Sequence, residues 1–272
     1  MQPLLAEKGG FDMQTIEHVM CLLLACGGDM KFFDEHLAAF LLPDAIRMYS
    51  KAREYSHFEK SPDGRDSSHM RFPADMKHLS AETVQQSLAE DSHLVEHPKC
   101  VVGEETDISM FLPYNNHLPD NMKTGILLHL VQDIEFDGWI RSIIDCKDRY
   151  EDKFVFAGRV YDGTECRHII SEIETHLAYA LAKKVYETLG IVCNQDWFDE
   201  HVYPVLMRDY PEELANNTYK YMLIPQLIDK FITDQDWKLV ESDHYNVPYK
   251  EYQSIVEREI AMTSYVYEMR PC

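Results

Sequence analysis

Apolar residues recur at helical spacing through most of this chain. In residues 12–26, DMQTIEHVMCLLLAC, the apolar positions are Ile16, Val19, Met20, Leu22, Leu23 and Leu24. That pattern predicts a core helix, stopped by Gly27 and Gly28 and carrying one histidine, His18. The stretch EHLAAFLL predicts a short second helix, with Asp34 as its cap and Pro43 as its interruption. The chain then turns polar, and a further helix is expected over residues 80–97, with Ser80 and Thr83 as candidate caps. Residues 98–120, punctuated by Pro98, Pro113 and Pro119, read as irregular. The segment GILLHLVQDIEFDGWIRSII predicts a helix over about 124–145 that is apolar on nearly all sides, and so a central one. CRHIISEIETHLAYALAKKVYETLG predicts a long helix ended by Gly190, with an apolar arc of Ile169, Ile170, Ile173, Leu177, Ala180 and Leu181. Beyond residue 194, helical patterns alternate with Pro and Asn breaks. Strand character is confined to KFVFAGRVYDG, residues 153–163, which reads as a hairpin. With no internal repeat and no low-complexity linker, the expectation is an all-α fold: a single multi-helix domain over residues 1–272.

One feature of the expected central helix does not fit a plain core helix. His129, Asp133 and Asp137 are spaced four apart and fall on one face, flanked by Leu128, Leu130, Val131, Ile134 and Phe136. A charge buried in apolar surroundings is costly unless it is paired or holds a metal. Similar polar groups stand on the other helices: His18 on the first, Asp44 directly after Pro43, His57 in YSHFE, and His168 with Glu172 one turn apart in HIISE. Zinc takes nitrogen and carboxylate oxygen ligands, and an i, i+4 pair on a helix can direct both at one ion. A bridging carboxylate between two such pairs would make a dinuclear site, suited to activating water for displacement at phosphorus. Each residue also has an ordinary reading. His18 can be a hydrogen-bonded core histidine, Asp44 a helix cap, His57 a surface residue, and His129–Asp133 a structural pair. His168 and Glu172 lie beside the apolar arc, where a solvated face fits equally well, and His176 competes with them as a ligand.

Composition narrows the partners. The chain has 272 residues, enough for one large domain with a full core or for two small ones. It carries 26 Lys and Arg against 47 Asp and Glu, a formal charge of −21, so bulk binding to nucleic acid is not expected. A bound divalent cation would still create a local positive site in that acidic field. There are seven Cys, scattered and without a CxxC pair, which argues against a disulfide framework and for a reducing, cytoplasmic setting. Neither a signal peptide nor a transmembrane segment is expected from the sequence.

The ordered set of His18 in TIEHVM, Asp44 in LLPDAIR, His57 in YSHFE, His129 and Asp133 in HLVQD, and His168 and Glu172 in HIISE resembles the zinc-dependent phospholipase C family and its relatives among the S1/P1-type nucleases. The resemblance covers about residues 15–180. It implies an all-helical domain with metals held between helices, within a core of about 12–190, followed by a C-terminal helical part over 191–272. It also implies one or two Zn2+ ions, held by His18, Asp44, His57, His129, Asp133, His168 and Glu172. Asp44 would orient the attacking water or act as its base. Family members place a further His a few residues after the helix Asp; here either Asp137 or no residue takes that role. The implied activity is metal-dependent hydrolysis of a phosphate ester, on a small or phospholipid-like substrate, in a non-secreted member. Two alternatives compete: an HD-type helical phosphohydrolase, although the His-Asp dipeptide is absent from this chain, and a non-catalytic helical binding or scaffold protein with structural His/Asp pairs.

Overall fold

The computed structural model describes residues 15–48, 118–148, 153–222, 247 and 249–269. The expected helix over 80–97 and residue His57 lie outside these. The described chain is all-α apart from one small sheet. Helix α1 (Thr15–Ala25) is followed by α2 (Met30–Met48) and, later, by α3 (Asp120–Ile143). Three short strands come next, β1 (Ile144–Asp148), β2 (Lys153–Phe156) and β3 (Arg159–Asp162). The long α4 (Gly163–Leu189), the short α5 (Gln195–His201) and α6 (Tyr203–Asp209), then α7 (Glu212–Met222) and α8 (Tyr249–Glu268) complete it.

Every residue of α1 is buried. That makes α1, not α3, the most enclosed helix of the described fold. The sequence of α3 looks apolar all round, but Asn121, Gly138 and Ser142 reach solvent. Its buried side packs chiefly against α2 and α8. The α2–α3 packing is close because of Gly125. A Cβ built there would lie 2.7 Å from the Ala39 Cβ and 2.8 Å from the Phe40 backbone nitrogen. Only a residue without a side chain lets the two backbones approach so far.

Helix α2 differs from the expectation in two ways. It begins at Met30, because Asp29 and not Asp34 caps it: Asp29 Oδ1 accepts from the Lys31 and Phe32 backbone N–H groups, each at 3.1 Å. It also runs straight through Pro43. A proline inside a helix costs about 3 kcal/mol. Leu41, Leu42, Asp44 and Ala45 are all buried around it, so tertiary packing overrides the local preference. Asp34 instead pairs with Arg208 of α6 at 2.7 Å.

The expected hairpin is present, β2 pairing antiparallel with β3 across Ala157 and Gly158, both at positive φ (48° and 76°). The strand β1, which pairs with β2, was not expected; its residues continue directly from α3. Gly190, at φ 69°, ends α4 as the sequence predicts. Asn194 caps α5, accepting from the Trp197 N–H at 3.0 Å. Helix α8 returns to the start of the chain. The Thr263 and Cys21 side chains lie 3.7 Å apart, and the Ser264 hydroxyl donates to the Ala25 carbonyl at 3.3 Å. Among the described residues, no helix is long and apolar enough to cross a membrane.

Candidate metal centre

The close approach at Gly125 sets up the site. On α3, His129 is one turn beyond Gly125; on α2, Asp44 is one turn beyond Phe40. The same contact that joins the helices therefore brings these two side chains towards each other. Helix α1 supplies His18 between them. One donor atom from each of His18, Asp44 and His129 lies within 4.8 Å of the other two, and all three residues are buried. Asp133, one turn after His129, joins from α3. Its Oδ1 is 3.4 Å from His18 Nε2, and its Oδ2 is 3.6 Å from His129 Nε2. All four side chains are at most 1% exposed.

The surrounding contacts orient these groups. His18 Nδ1 donates to Gln132 Oε1 at 2.8 Å, so that when the ring loses a proton, as metal binding requires, Nε2 is the nitrogen that carries the lone pair. The Thr15 hydroxyl donates to Asp44 Oδ2 at 2.6 Å and holds that carboxylate on one side. The His18 and His129 rings stack at 4.0 Å, tilted by 25°. Two stacked imidazoles do not both carry a proton's charge at little cost, so the pair favours at least one neutral ring. Phe40 presents its ring against both histidines, at 5.9 Å and 5.7 Å, and closes that side with apolar surface.

The electrostatics are those of a buried acidic pocket. Burial pulls the His18 pKa down, but the Asp133 carboxylate outweighs this with Asp44 and Gln132 in support, and the net position is up at about 9. Burial pushes the Glu259 carboxyl of α8 up to about 8. The Tyr210 hydroxyl, which donates to the Ala38 carbonyl, is held well above its ordinary value by burial and then by the charge of Asp44. Burial likewise raises the Cys21 thiol, as does the charge of Glu259.

The donor set fits a divalent cation. It offers two imidazoles and two carboxylates from three helices, all desolvated. The two His–Asp separations exceed the 2.7–2.9 Å or so of a direct charge-assisted hydrogen bond. The His18 Nε2 atom has no hydrogen-bond partner among the described residues.

Of the residues expected from the sequence, His18, Asp44, His129 and Asp133 are brought together. His57 lies outside the described residues, as do the side chains of His168 and Asp137. Glu172 is exposed on α4 and is not among the converging side chains. His176, one turn on, is buried, but it packs against the rings of Tyr179 and Tyr252 at 5.9 Å and 6.0 Å. Sequence reasoning passed over Thr15, Gln132, Glu17 and Glu259. For Glu259 there was a signal: it falls on the same 3–4 spacing as the buried Tyr252, Val256 and Thr263. No family model matches this chain, and no curated protein or solved structure matches it either.

Proposed function

We propose that this protein is a metal-dependent hydrolase of phosphate esters, related to the zinc-dependent phospholipase C and S1/P1 nuclease type. The observation that carries the reading is the buried His18–Asp44–His129 group with Asp133 beside it. His18, His129, Asp44 and Asp133 would hold the ion, zinc being the best match to a mixed imidazole and carboxylate set. Such an ion supplies Lewis acidity at neutral pH and a counter-charge for a phosphate ester.

The chain's own residues contribute the rest. Gln132 keeps His18 in the tautomer whose Nε2 can ligate. Thr15 holds the Asp44 carboxylate through Oδ2, and by the resemblance Asp44 would orient water or take its proton. Phe40 keeps bulk water off the stacked imidazoles and so strengthens every charge interaction inside. The substrate class is a small phosphate ester or a phospholipid-like one.

The test is elemental analysis of protein purified without a His tag, followed by assay against generic phosphomonoesters, phosphodiesters and phosphatidylcholine. Stoichiometric zinc and hydrolysis that a chelator abolishes are expected. Substoichiometric metal, together with a melting temperature indifferent to added zinc, would sink the reading. Stoichiometric zinc without hydrolysis of any of these esters would reduce the centre to a structural one.

A further inference from the structure

Four acidic side chains are buried in the described structure close to His18 in sequence or charge: Glu17, Asp44, Asp133 and Glu259. No Lys or Arg side chain is buried among the described residues. The proposed centre uses Asp44 and Asp133. Glu17, on α1, and Glu259, on α8, are left over, and Glu259 is the one on a helix that the centre does not yet use. It is fully buried, and neither of its carboxylate oxygens has a hydrogen-bond partner among the described residues. Such a carboxyl is neutral unless a cation or a set of donors holds it charged.

The register of the helices places it. Cys21 meets Thr263, the Ala25 carbonyl meets Ser264, and Asp29 meets Tyr267 at 3.4 Å. Residue numbers rise together along both segments, so α1 and α8 run parallel here. One turn back from Cys21 are Glu17 and His18; one turn back from Thr263 is Glu259. From the other side, Arg258 Nε lies 3.8 Å from Glu135 Oε2, which sets α8 against α3 two residues past Asp133. By this register Glu259 is about level with His18 and Asp133 and on the buried side of α8, although its carboxyl is not among the donors that lie within 4.8 Å of one another, those of His18, Asp44 and His129. The nearest hydroxyl on its own helix does not serve it: Thr263 Oγ1 donates to the Glu259 backbone carbonyl at 2.6 Å.

We propose that Glu259 is a further ligand of the divalent-cation centre, a carboxylate that the C-terminal helix α8 adds to the residues of α1, α2 and α3. This rests on the metal-binding reading above and extends it. It also gives α8 a role in function: the helix both closes the pocket and supplies a charge to it, so the centre is complete only once the end of the chain has docked on its beginning.

The experiment is a zinc titration of the metal-free chain in competition with a chromophoric chelator. It compares the unmodified protein, Glu259→Gln and Glu259→Asp. Glu259→Gln is expected to weaken zinc binding by about tenfold or more, the usual scale for losing one group of a metal site, and Glu259→Asp by less. The visible absorption of the cobalt-loaded protein should change in Glu259→Gln. Thermal melts should move in opposite senses: metal-free Glu259→Gln at least as stable as the metal-free parent, zinc-loaded Glu259→Gln less stable than the zinc-loaded parent. Equal zinc affinity with an unchanged cobalt spectrum overturns the assignment and leaves His18, Asp44 and His129 untouched. A metal-free Glu259→Gln that melts well below the metal-free parent also overturns it, because that is the behaviour of a purely structural carboxyl. No zinc uptake by the unmodified protein removes this proposal and the metal reading together.

Discussion

Gly125→Ala is the substitution that separates local from tertiary control in this fold. In an isolated helix it is favourable, because Ala is preferred over Gly by about 1 kcal/mol. Here the new methyl would meet the Ala39 Cβ at 2.7 Å and the Phe40 nitrogen at 2.8 Å. Ordinary contact begins about 1 Å further out, since carbon pairs are optimal near 3.5–4.0 Å. One of the two obstacles is backbone, so α2 and α3 must move apart. Overpacking of this kind costs about 1–3 kcal/mol, and a backbone clash belongs at the upper end. After the propensity gain, a net loss of roughly 2 kcal/mol remains, a fall in melting temperature of about 4–8 °C for a domain of this size. The site should suffer as well. His129 and Asp44 each sit one turn beyond the contact, so spreading the helices draws the two side chains apart, and the proposed centre should then hold zinc less tightly. Thermal and urea unfolding followed by circular dichroism, with zinc competition on the same samples, measures both effects. A Gly125→Ala protein that melts higher than its parent and holds zinc equally well would refute the argument that this close approach builds the centre.

Asp133→Ala should lower metal content and abolish phosphoesterase activity with helix content retained, as read by elemental analysis, ester hydrolysis and far-UV circular dichroism; full metal and full activity would exclude it from the site. Thr15→Val removes the 2.6 Å donor to Asp44 and should destabilise the protein by about 1.5–3 kcal/mol, the range for a hydrogen bond to a charged group, measurable by urea unfolding. Metal-free protein should lose stability as pH rises. Between about pH 4.5 and 8, the folded chain keeps the Glu259 proton that the unfolded chain has released. Between 6.5 and about 9 the same holds for His18. In both windows the native state binds more protons than the unfolded chain, so each group makes stability fall as pH rises. Urea unfolding from pH 5 to 9 checks this, and stability that rises across the range would contradict it. Zinc affinity should move the other way and strengthen with pH, since its ligands must be deprotonated.

The period of the apolar residues was enough to set the fold class. It located α1, the end of α4 at Gly190 and the β2–β3 hairpin, because these depend on local rules: spacing, a left-handed glycine, a tight turn. It also singled out His129 and Asp133, because a charge on an apolar helix face is anomalous whatever the fold; His18, Asp44, His57, His168 and Glu172 stood out only as an ordered set, of which His18 and Asp44 meet them in the structure. The path of α2 through Pro43 was not legible, since burial of the neighbouring residues outweighs a local penalty that the sequence displays openly. Nor was the relative enclosure of α1 and α3, which depends on how many neighbours each helix acquires. The role of Gly125 was equally hidden, because a glycine in a helix shows its purpose only when another backbone lies against it. Glu259 is the clearest case. It is 241 residues from His18 in sequence, and its carboxylate becomes chemically significant only because α8 packs parallel to α1, taking away its water and offering it no donor in return.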